Sequence, residues 1–184
     1  MAIPILGSDG KVITSGQSGN SRRLDVSSRT DTRMYYTSRD DGQVYTWTGL
    51  YAVGANDTVM LVKNTSTTRV LIITEIESVN DAVTRVRIHL PTVEVTPAGT
   101  EIIGKNLNTA STNAADAIAK QDETNNSLGD VIFDTLIGAN EPHAEAFEHG
   151  LRITQNKSIA VDFVTAAVAL GGATITGYFE VPGV

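Results

Sequence analysis

The side chains with the most chemistry in a short span lie in Glu141–Gly150, EPHAEAFEHG, where His143, Glu145, Glu148 and His149 fall within seven residues. Imidazoles and carboxylates are the ligands of zinc, iron and manganese sites. The same pattern also suits a polar connection leading into the apolar run Leu151–Thr154, and that reading is preferred. Tyr35, Tyr36, Tyr45 and Trp47 form a second group, with the ring chemistry of a sugar-stacking platform. Alternation along a strand puts Tyr35 and Tyr36 on opposite faces, so at most some of these rings cooperate. Glu75 and Glu77 share one strand face and are the ligand type for Ca²⁺ if a loop adds oxygens. They read as a solvated face, as do Asp122 and Glu123. The chain has no G-x-S-x-G elbow, P-loop, H-E-x-x-H or G-x-G-x-x-G. It has no cysteine, which removes disulfides and thiolate chemistry.

The elements that must position these residues read as strands. The strongest signal is Thr58–Glu77, TVMLVKNTSTTRVLIITEIE, two apolar β-branched runs around the polar turn Lys63–Thr68. It predicts a β-hairpin. Both runs are apolar on both faces through Val59–Val62 and Val70–Ile73. That requires a covering layer from the N-terminal arm, the 104–129 segment or a neighbouring protomer. Arg33–Ser38, the turn Asp40-Asp41-Gly42 and Gln43–Thr48 predict another hairpin. In Ala82–Leu90, Val86, Ile88 and Leu90 alternate with Arg85, Arg87 and His89, the pattern of a half-buried strand. Thr92–Val95, Thr100–Ile103, Asp130–Ile137, Leu151–Thr154, Ser158–Thr165 and Thr174–Val181 complete the strand candidates. Residues 104–129 break the pattern. They predict a long loop with one short helix over Ala114–Lys120, capped by Thr112 or Asn113. Eight to ten short strands with turn signals between them predict an all-β fold. A jelly-roll-like antiparallel β-sandwich is the most economical version.

Composition sets the outer limits. The 184 residues are 41% hydrophobic, enough for one core, with a mean hydropathy of −0.05. No apolar run reaches the ~18–20 residues of a membrane span. The start, MAIPILGSDGKVITSG, lacks the basic n-region of a secretory signal. The four N-x-S/T sequons (Asn56, Asn64, Asn125, Asn156) matter only on a secretory route. The net charge of −7 is uneven. Residues 1–42 carry six basic and five acidic groups; the remainder carries eight and sixteen. A nucleic-acid binder would show a basic face instead. Residues 1–32 are Gly-, Ser- and Asp-rich without apolar periodicity, the composition of a segment that is either flexible or an arm ordered on another surface. The expected organisation is an extended arm with the first hairpin over 1–42 and a sandwich body over 43–184.

The stretches LVKNTSTTRVLIITEIE at 61–77 and GLRITQNKSIAVDFVTAAVALGGATITGYFEV at 150–181 resemble small virion proteins of tailed bacteriophages. The stretch at 61–77 is similar to the apolar–Lys-Asn-Thr-Ser–apolar hairpin of phage jelly-roll structural proteins. The stretch at 150–181 is similar to their C-terminal strand pair, ending in Tyr178-Phe179-Glu180. The resemblance covers the body from residue 42 onward and is one of pattern. It implies a capsid decoration, or cement, protein on the virion surface, made in the host cytoplasm. Its implied partners are the major capsid protein and copies of itself, a homotrimer, with no nucleic acid, membrane, cofactor, metal or catalytic residue. A carbohydrate- or receptor-binding module of a tail or head fibre is the alternative. A cupin-like metalloprotein using His143, Glu145 and His149 ranks third. The cupin motif has two histidines one residue apart and then a glutamate. His143-x-Glu145 does not match it, and no histidine follows His149.

Overall fold

The computed structural model describes residues 5–6, 12–13, 42–55, 57–92, 94–123, 129–167 and 169–182. The chain divides into two units, Met1–Thr30 and Asp31–Val184. In the first, β1 (Ile5–Leu6) pairs antiparallel with β2 (Val12–Ile13). The second contains β3 (Val44–Tyr51), β4 (Asp57–Asn64), β5 (Val70–Asn80), β6 (Thr84–Leu90), β7 (Thr100–Ile102), β8 (Lys105–Asn106), β9 (Ala117–Glu123), β10 (Asp130–Ile137), β11 (His143–Ile153), β12 (Ser158–Phe163) and β13 (Gly171–Glu180). No helix occurs among the described residues. The strands form two antiparallel sheets, ordered β10-β6-β12-β4-β9-β7 and β11-β5-β13-β3-β8, packed as a sandwich.

Eight strands pair in a nested order. β3 pairs with β13, β4 with β12, β5 with β11 and β6 with β10, the first with the last and so inward. β12 also pairs with β6, and β13 with β5, which stitches each sheet together. The segment between β6 and β10 supplies β7, β8 and β9 to the far sides of the sheets. Tyr45, Trp47, Met60, Val62, Leu71, Ile73, Ile76, Val86, Ile88, Ile159, Val161, Phe163, Ile175 and Phe179 fill the space between them. Each such side chain contributes about 1.5–3 kcal/mol by leaving water. Tyr45 meets Phe179 edge-on, ring centres 5.8 Å apart. Gly177 marks a bulge of β13 against β5, where a Cβ would stand 2.5 Å from the Ile72 carbonyl oxygen.

Four expectations are corrected. The Thr58–Glu77 hairpin does not form, because β4 and β5 lie in different sheets. The turn is instead a corner built on Asn64. Its fully buried side chain donates to the carbonyls of Arg69 (3.0 Å) and Ile153 (2.8 Å) and accepts the Ser66 N–H (2.8 Å). The helix over Ala114–Lys120 is replaced by β9, which lies between β4 and β7. Alanine's helix propensity, a few tenths of a kcal/mol per residue, yields to a ladder on either side. Residues 143–150 belong to β11 rather than to a connection. Thr92, Glu94 and Val95, expected in a strand, lie outside any strand and belong to a strap over the outer face of the six-stranded sheet. The first strand of the Arg33–Thr48 hairpin lies outside the described residues.

Asn64→Ala should lower stability by about 3 kcal/mol, since it strands the buried Ile153 carbonyl and Ser66 N–H and the partly buried Arg69 carbonyl. In a chain of this size that is a fall of roughly 6–12 °C in Tm, read by thermal unfolding followed by circular dichroism.

Candidate functional site

The best-formed polar arrangement lies on the outer face of the six-stranded sheet. Strand alternation turns Ile159, Val161 and Phe163 of β12 into the core and Ser158, Ala160 and Asp162 outward. The register sets Asp162 opposite Arg87 and Ala160 opposite His89. Arg87 Nε lies 3.1 Å from both Asp162 carboxylate oxygens, and its Nη2 donates to Oδ2. His89 Nε2 lies 2.8 Å from Oδ1. Burial alone would raise the Asp162 pKa, but the hydrogen bonds from His89 and Arg87 outweigh it and hold the carboxyl below its ordinary range. The same pair raises the Arg87 pKa. This contact leaves the other ring nitrogen of His89, Nδ1, outside the ion pair. Nδ1, like Ser158 Oγ, finds no hydrogen-bond partner among the described residues.

A strap that includes residues 91–92 and 94–99 passes over part of this face. Lys63 Nζ bonds Glu94 Oε1 (2.8 Å) and the Val95 carbonyl (2.9 Å), and Lys157 Nζ bonds the Thr92 carbonyl (3.2 Å). Glu123 is buried and accepts the N–H groups of Ala98 and Gly99 at 2.8 Å each. Under the strap Val95 packs with Leu61 and Ala160. The strap therefore covers Leu61 of β4, and it is a segment other than the covers expected from sequence. Glu123, expected in a solvated pair, is a buried anchor.

An aspartate–imidazole pair is the orienting half of a general-base arrangement. Here Asp162 is 1% exposed and His89 5% exposed, so both are buried. What the group does is join two strands. Removing one member of such a buried pair costs about 3–5 kcal/mol, because the other charge stays buried.

The residues singled out from sequence are dispersed. His143 and Glu145 stand on β11, with His143 Nε2 3.8 Å from Glu145 Oε2. The His143 ring stacks on Phe133 of β10, centres 5.6 Å apart. Glu148 and His149 are exposed in a bulge where residues 147–150 face only Thr74 of β5. No three His, Asp or Glu side chains among the described residues are arranged to hold a metal ion. Tyr45 and Trp47 are fully buried in the core and offer no stacking face; Tyr35 and Tyr36 lie outside the described residues. Tyr178 is buried with Val44, Val70 and Ile72 in a second apolar cluster. Glu75 and Glu77 stand across from Thr176 and Thr174 of β13. Sequence reading found the Arg85, Arg87 and His89 face but missed Asp162. An acidic residue alternating with Ile159, Val161 and Phe163 was the available signal.

Asp162→Ala should cost about 3–5 kcal/mol, and Asp162→Asn less, because the amide still accepts from Arg87. The pH dependence follows from the lowered Asp162 pKa. Its contribution is complete above the unfolded-state value near pH 4 and declines as pH falls toward the lower native value. Urea titrations should therefore show wild type losing its advantage over Asp162→Asn as pH falls below about 4.

Comparison with protein-family models, with curated proteins and with solved structures returns no match.

Proposed function

We propose that the chain is a structural virion protein, a capsid decoration protein that binds the assembled phage head and stabilises it. The observation that carries this reading is the nested strand pairing, β3 with β13, β4 with β12, β5 with β11 and β6 with β10. It supports a jelly roll, an arrangement shared by viral capsid and lectin domains. The use made of polar groups supports it too. Asp162, Glu123, Lys63 and Asn64 are spent on strand, strap and corner contacts. The resemblance at 61–77 and 150–181 supplies the class of particle as a sequence pattern alone, since β4 and β5, like β12 and β13, lie in different sheets and do not pair.

The action is mechanical. A rigid sandwich presents several contact regions at once, and a symmetric homo-oligomer multiplies them. Linked weak contacts to the major capsid protein raise avidity without one strong site. A protein that binds the assembled shell and not its separated subunits stabilises the shell by mass action. The reading puts the chain on the capsid surface after synthesis in the host cytoplasm and gives it no catalytic role.

Cryo-electron microscopy of the parent particle should show this sandwich on the outside of the shell. Particles lacking the chain should release their DNA at a temperature several degrees lower, with the loss restored by adding purified protein. Its absence from the mature particle overturns the proposal.

A further inference from the structure

We draw no further inference here: the strongest candidate, the exposed apolar edge of the six-stranded sheet formed by β10 (Asp130–Ile137), carries none because nothing in the structure shows what covers it.

Discussion

All six residues of β12 are buried, and the six-stranded sheet depends on that strand. It lies between β4 and β6 and joins segments that are remote in sequence. Ile159, Val161 and Phe163 fill the core, while Ser158, Ala160 and Asp162 occupy a face that is also closed to water. The side-chain period of a strand is two, so a slip of one residue would turn Asp162 into the core and Phe163 out of it. The Arg87–Asp162–His89 group opposes that slip twice. It costs a buried charge if broken, and its forked guanidinium contact fits one register. An apolar residue at position 162 would pack as well in several registers. The ionic group therefore contributes more to uniqueness of pairing than to net stability.

The strands themselves were legible where apolar alternation was clean. Asp130–Ile137 was read with the bounds it has, and β6 and β12 within one or two residues, since a half-buried or buried strand writes its period into the chain. Partner choice was not legible. Two apolar runs flanking a polar turn look the same whether they pair with each other or part into different sheets. Asn64 decides between these outcomes through the carbonyls of Arg69 and Ile153, and Ile153 is 89 positions away. Ala117–Glu123 failed for a related reason. Local propensity favours a helix there, and the open side of β4 overrules it. In β11, Ala144 and Ala146 sit at the exposed positions between His143, Glu145 and Phe147. The period was present, but small and charged residues had exchanged their usual sides.

The candidate site divides in the same way. The basic face of β6 could be read from Arg85, Arg87 and His89 alone. Its organising anion comes from a strand more than seventy positions later, which no local pattern announces. The histidine and acid cluster at 141–150 was conspicuous in sequence because its residues are adjacent there. A bulge in β11 spreads them along the edge of the sheet.

Strap, corner and ion pair all act on the sandwich itself. Lys63 and Lys157 hold the strap from β4 and from the turn before β12, and Glu123 holds its far end from β9. On the other sheet Val44, Val70, Ile72 and Tyr178 form a buried outer cluster. Among the described strands β10 is the long edge that stays straight over five residues and apolar at its surface. Its mid-strand charge, Asp134, is bridged by Arg85 of the neighbouring β6.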